Sequence, residues 1–348
     1  MKISADRNQL RGPVLRSVSR SFYLSLRILP RPLRDPLSLA YLLARATDTI
    51  ADTPEPPVNL RAEALGDLAR AIQGTTPAET VGRLQESFAP LQRDDGERTL
   101  IQNLPALLEW LDELEAGDRG EVRAVLEKIT RGQMLDVERF GGATSSPRRV
   151  RPMADTSIQA LATAAELDEY TYLVAGCVGE FWTRLCFAHV ENFSERPEEE
   201  MRELGVRYGQ GLQLINILRD AGTDLRQGRC YLPVDELRSL GIGPEEILRE
   251  PARVLPILQK WREKAEHGIE AGIDYACAIR NRRIRFATAL PALIGVRTLV
   301  LLREAGPEIF ERKVKVPRSE VRKIILSNAL AAPRSLRRAF QKLQGAAV

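Results

Sequence analysis

Apolar residues recur three and four positions apart along almost all of this 348-residue chain, and runs of alternating β-branched residues are nearly absent. That spacing is the period of an α-helix with one apolar face, and it restricts the chain to packing helix against helix. Segments 36–50, 60–72, 101–114, 120–140, 157–189, 198–218, 251–275, 286–303 and 319–330 carry the pattern and are rich in Leu, Ala, Glu and Arg. The breaks have turn chemistry: TPEPPVN after Asp52, GTTP at 74–77, GGATSSP at 141–147 and LGIGPEE at 240–246. No repeat or shift in composition divides the chain. The expectation is one all-α domain over residues 1–348, with its core at about 15–330 and a basic amphipathic tail at 331–348. The polar, proline-containing stretch 141–153 is expected to be an exposed loop within that domain.

Charge and composition narrow the function classes. Fifty-one basic against forty-seven acidic residues leave a net charge of only +4, which disfavours nucleic acid as the partner. The two histidines, His189 and His267, argue against imidazole pairs and multi-histidine metal sites. Four cysteines (Cys177, Cys186, Cys230, Cys277) without a CxxC spacing read as free thiols of a reducing compartment. The first 22 residues lack the apolar run of a signal peptide. The longest apolar run, 287–302, carries Arg297 and falls short of the roughly 18 residues that a membrane span needs. A cytoplasmic protein, soluble or peripheral at the membrane face, is expected.

Two polar stripes stand out. In the segment from Leu39 to Asp52, the side chains of Tyr41, Arg45, Asp48 and Asp52 fall within roughly 40° of one another on a helical wheel, flanked by Leu, Ala and Ile. Carboxylates one turn apart repel, and a divalent cation turns that repulsion into binding; the bland alternative is a solvated edge near a helix end. In the segment from Gly211 to Asp224, Gln213, Asn216, Asp220 and Asp224 share a stripe about 80° wide on another apolar helix. Carboxylates and an amide, without histidine or thiol, suit Mg²⁺, which keeps waters and bridges carboxylates to phosphate oxygens. The expected substrate is therefore a diphosphate. Arg45, Arg219 and Arg229 offer guanidinium forks for its oxygens, or serve as ordinary salt-bridge arginines.

Several other features have quieter readings. Gly205, Gly209 and Gly211 lie in a helical stretch and do not form a dinucleotide fingerprint, so close helix packing is their expected use. Residues 174–179, Val-Ala-Gly-Cys-Val-Gly, read as a tight helix contact or as room for substrate. Gln133, Asp136 and Glu138 read as a solvated face or as the rim of a cavity.

Taken together, five motifs resemble the squalene/phytoene synthase family of head-to-head isoprenoid condensing enzymes, over about Ser19 to Leu326. They are Ser19-Arg20-Ser21-Phe22, the Tyr41–Asp52 segment, the stretch from Tyr170 to Gly179, the Gln213–Asp224 segment, and Arg229-Cys-Tyr-Leu-Pro233. The resemblance implies a single-domain, all-α isoprenoid synthase fold around a deep apolar cavity. It implies Asp48, Asp52, Asn216, Asp220 and Asp224 as holders of Mg²⁺. It implies Ser19, Arg20, Ser21, Phe22, Tyr41, Arg45, Gln213, Arg219 and Arg229 around the substrate, with Tyr170 assisting proton removal.

Residues 43–49, Leu-Ala-Arg-Ala-Thr-Asp-Thr, together with 289–299 and Lys313-Val-Lys315-Val, are similar to the squalene-forming branch. That branch implies two farnesyl diphosphates condensed to presqualene diphosphate, then reduced to squalene with NADPH held near Lys313 and Lys315. The alternatives are enzymes that stop at presqualene diphosphate or make dehydrosqualene or phytoene, and, from another class, an inactive helical scaffold. The tail, with Arg334, Arg337, Arg338 and Lys342 opposite Leu336, Ala339, Phe340 and Leu343, has two readings. It either rests on an anionic membrane as a peripheral contact or packs on the body.

Overall fold

Proline and charge place the helix starts where the periodic segments begin. In the computed structural model, which describes residues 7–19, 23, 26, 28–141, 158–329 and 331–345, the fold is all-α apart from one two-residue strand pair. The chain divides into two units, Met1–Ser146 and Pro147–Val348. Most of the 141–153 stretch, with Arg148, Arg149 and Arg151, lies outside the described residues.

The first unit opens with a short helix α1 (Arg7–Gln9), a π-turn over Leu10–Val14, and α2 (Leu15–Ser19). Helix α3 (Arg31–Asp52) starts behind Pro30, with a second proline in its first turn, and stops at the TPEPP segment. It is followed by α4 (Val58–Ile72), α5 (Ala78–Phe88), α6 (Asp95–Gln102), α7 (Leu104–Asp112) and α8 (Ala116–Phe140). Helices α3 and α4 pack on α8, and Leu39, Leu42, Leu43, Ala46 and Ile50 of α3 are all buried.

One buried charge ties three helices of this unit. Arg61 on α4 is only 3% exposed, and its guanidinium donates to the carbonyls of Ala51 and Gly141, each at 3.1 Å. Those carbonyls belong to the C-terminal ends of α3 and α8, where backbone acceptors lack helical partners and a cation is favoured. Arg61→Met is expected to lower unfolding stability by about 3 kcal/mol in urea titration, with Arg61→Lys intermediate. Equal stability of all three proteins would refute this role.

The second unit is organised by α11 (Glu198–Arg226), which begins after Pro197 with three glutamates in its first turn. Before it come β1 (Gln159–Ala160), α9 (Ala164–Thr171), a π-turn over Tyr172–Gly176 and α10 (Cys177–His189). After it come β2 (Arg229–Cys230), α12 (Val234–Ser239), α13 (Leu255–Ala278), α14 (Arg282–Ala305), α15 (Arg318–Asn328) and α16 (Pro333–Gly345). Strands β1 and β2 pair in parallel, Gln159 opposite Arg229 and Ala160 opposite Cys230.

Glycines let α10, α11 and α13 approach backbone to backbone. A Cβ on Gly179 would lie 2.0 Å from the Gly205 carbonyl oxygen, and one on Gly211 would lie 2.8 Å from the Cα of Gly268. The small-residue stretch 174–179 is thus a helix contact. Tyr208, buried, donates its hydroxyl to the Thr288 carbonyl at 2.9 Å and ties α11 to α14.

One sequence expectation changes here, and one choice left open by the sequence narrows. The apolar run 287–302 sits in a helical stretch, Arg282–Phe310, that is long and apolar enough to cross a membrane; 61% of its most apolar window is buried inside the unit, as in a core helix. The tail helix α16 spends its apolar face on α13 and α14: Leu336 and Phe340 are buried, and Arg337 pairs with Asp274. Its exposed side carries Arg334, Arg338 and Lys342.

Candidate functional site

In the first unit the polar stripe is assembled by α2, α3 and α6. The Tyr41 hydroxyl donates to the Val18 carbonyl at 3.1 Å and anchors α3 to the end of α2. Next to it Ser19 is buried and its hydroxyl donates to the Leu15 carbonyl. Arg20, Ser21 and Phe22 lie outside the described residues. Arg45 is shared between two carboxylates: Nη1 donates to Asp48 Oδ2 at 2.6 Å, and Nη2 donates to Glu97 Oε1. Asp52, one turn beyond Asp48, is exposed. Thr53 turns into the core, where its hydroxyl accepts from Gln92 at 2.9 Å, so the stripe ends at Asp52.

Although 40% of its side-chain surface meets solvent, Asp48 is crowded by protein atoms. That desolvation and the like charge of Asp52 push its carboxyl up to about 7, against the pull of Arg45.

In the second unit the stripe runs along α11. Asn216 donates to Gln213 Oε1 at 3.3 Å. Arg219 grips Asp220 with two bonds, Nη2 to Oδ2 at 2.6 Å and Nε to Oδ1 at 3.3 Å. Lys313 Nζ lies 3.2 Å from the same Oδ1. Burial pushes the Asp220 carboxyl up, but Arg219 and Lys313 outweigh it and hold it below the usual carboxylate range.

Lys313 arrives on an extended segment in which Val314 and Val316 are buried while Lys313 and Lys315 are exposed. The start of that segment is clamped to α11. Arg226 donates to the Phe310 carbonyl at 2.6 Å, and Gly222 lies so close that a Cβ there would meet the Phe310 oxygen at 2.3 Å. Lys313, expected beside a cofactor, therefore also belongs to the second aspartate motif.

Tyr170, at the end of α9, is buried and stacks on Tyr231, with ring centroids 5.2 Å apart and 29° between planes. This joins the tyrosine motif to the Arg229–Pro233 segment. Asp224 and Arg229 line one small pocket together with Ile217, Ala221 and Tyr231.

The donor set fits a divalent metal of the hard, oxygen-seeking kind. Each stripe offers carboxylate oxygens one turn apart, and among the described residues no three His, Cys, Asp or Glu side chains converge into a cage. Mg²⁺ tolerates such a partial shell because waters and substrate oxygens complete it. Nothing in the sequence singles out Glu97: there it is one of many helix-start acids, and only the fold brings it to Arg45.

Comparison with known proteins agrees with this architecture. The family model described as squalene/phytoene synthase matches residues 15–320. A bifunctional lycopene cyclase/phytoene synthase of Phaeosphaeria nodorum is 28% identical over 72% of this chain, which spans 38% of that protein's length. A squalene synthase of Gibberella zeae is 26% identical over 89% of this chain, which spans 62% of its length. The solved structure of TcSQS with a bound ligand superposes with a TM-score of 0.74 at 19% identity, covering 97% of this chain and 90% of that one. Fold, paired aspartate motifs and a match over most of the length lead to one assignment: the chain belongs to the squalene/phytoene synthase family.

Proposed function

We propose that this isoprenoid synthase condenses two farnesyl diphosphates head to head into presqualene diphosphate and reduces that intermediate to squalene with NADPH. The observation that carries the reading is the arginine-gripped carboxylate in each aspartate stripe, Arg45 with Asp48 and Arg219 with Asp220. The squalene-like first motif and the Lys313–Val316 segment favour the reductive branch over enzymes that stop at presqualene diphosphate or make dehydrosqualene or phytoene.

Asp48, Asp52, Asp220 and Asp224, with Asn216, would hold Mg²⁺, which when bound supplies positive charge to the departing diphosphate. Arg45, Arg219 and Arg229 bind diphosphate oxygens as the C–O bond breaks and the electron pair leaves with the diphosphate. The double bond of the second substrate attacks the allylic carbon, and Tyr170 would assist removal of the proton lost as the cyclopropane ring closes, passing it to the released diphosphate, which is the stronger base. Lys315, with Lys313, would receive the cofactor's phosphates, and NADPH when bound supplies the hydride to the carbon cation left when the second diphosphate departs. We place the enzyme in the cytoplasm, a reading supported by four free cysteines. Any membrane contact would use the basic side of α16.

Incubation with farnesyl diphosphate and Mg²⁺, with and without NADPH, followed by mass spectrometry, tests this. Squalene is expected only with NADPH. A C30 hydrocarbon formed equally without NADPH, or presqualene diphosphate accumulating in its presence, would overturn the reductive reading. Lys315→Met is expected to slow reduction several-fold while presqualene diphosphate still forms at the wild-type rate; equal slowing of both steps would remove Lys315 from the cofactor side.

A further inference from the structure

Arg45 stands between two carboxylates, and the way it divides its hydrogen bonds has a consequence for Asp48. An arginine beside a carboxylate frequently closes on it with two parallel bonds that occupy both oxygens, as Arg219 does on Asp220, where a metal must displace the longer Nε bond of 3.3 Å. Here only Nη1 reaches Asp48, through Oδ2, while Nη2 is drawn to Glu97. Among the described residues nothing donates to Asp48 Oδ1.

Glu97 is well placed to impose this division. Its backbone N–H donates to Asp94 Oδ1 at 3.1 Å in the first turn of α6. The neighbouring Gly96 lies so close to α2 that a Cβ there would meet the Ser17 side chain at 2.8 Å. The Glu97 side chain is only 25% exposed, and Arg45 is 34% exposed, so neither moves freely.

We propose that Glu97 is a positioning residue of the first aspartate motif: by holding one arm of Arg45, it keeps an oxygen of Asp48 open for the metal. The inference rests on the metal role of Asp48 given above. With Glu97 removed, Arg45 closes on Asp48 with both arms and competes with the cation for the same carboxylate. With glutamine in its place, the amide oxygen still accepts from Nη2, and the division survives although a negative charge is lost.

Mn²⁺ titration of the full-length protein with inorganic diphosphate, read by calorimetry and by the Mn²⁺ spin-resonance signal, tests the idea. Wild type is expected to bind. Glu97→Leu is expected to bind about 10-fold more weakly, the range found when a group supporting a metal ligand is lost. Glu97→Gln is expected to stay within about 2-fold of wild type. Equal weakening in both variants would mean that Glu97 acts by charge alone, and no weakening in Glu97→Leu would mean that it does not act on the metal; either overturns the proposal. Failure of the wild type to bind Mn²⁺ would instead overturn the metal reading of Asp48, and the inference with it. Melting temperatures of both variants close to wild type guard against a loss of fold.

Discussion

Asp220→Asn is expected to lower kcat/KM for prenyl diphosphate turnover by about 10³-fold or more, equivalent to about 4 kcal/mol of transition-state stabilisation. The substitution is nearly isosteric, but it removes the charge that Arg219 and Lys313 both face. Those two cations would then repel each other and any metal brought to the stripe. Asp48→Asn is expected to lose comparable activity for a different reason, since Arg45 offsets its charge only in part.

Stability separates the two replacements. In metal-free protein desolvation, then the like charges of Asp52 and Glu97, raise the Asp48 carboxyl, so its ionisation works against the fold. Asparagine relieves that cost, so the melting temperature is expected to equal or exceed that of wild type. Asp220 is the opposite case: its lowered carboxyl marks ionisation as favourable, and asparagine should lower the melting temperature slightly. Steady-state kinetics and differential scanning calorimetry on the same preparations check both halves. Near-normal turnover in either variant would remove that aspartate from the machinery.

Asp48, Asp52, Asp220 and Asp224 were legible in the sequence because a narrow polar line among Leu, Ile and Ala is a local signal, contained in each case within about three turns of a single helix. The partners that set their behaviour were not legible. Glu97 comes from a helix 52 residues beyond Arg45, and nothing local distinguishes it from other helix-start acids. Lys313 was noticed for its resemblance, but its pairing with Asp220 depends on Arg226 and Gly222 fixing Phe310 against α11, which no periodicity encodes. Amphipathicity likewise leaves open what an apolar face meets. The pattern of Leu336 and Phe340 fits a membrane or a core equally well, and only the packing of α16 decides for the core. Nothing in the sequence around Arg61 marks it, because the carbonyls it serves lie at the ends of two other helices.

The helix contact at Gly179 carries the second large effect. Gly179→Ala is expected to destabilise the second unit by about 3 kcal/mol or more, enough to depress soluble yield and melting temperature together. The added methyl carbon would sit 2.0 Å from the Gly205 carbonyl oxygen and 2.3 Å from its carbon. These are backbone atoms inside α11, with no side chain to swing aside, so α10 and α11 must separate. Separation would also pull at the glycine contact of α11 with α13, where Gly211 meets Gly268. A matched control is Gly117→Ala on α8, where a new Cβ meets nothing within 4 Å. There the better helix propensity of alanine should leave stability unchanged or raise it by up to about 1 kcal/mol. If the two alanine variants melted alike, the close approach of α10 and α11 would not be a determinant of this fold. If only Gly179→Ala fell, the small-residue stretch beside Tyr170 would be established as packing that positions the aspartate helix, with no room in it for substrate.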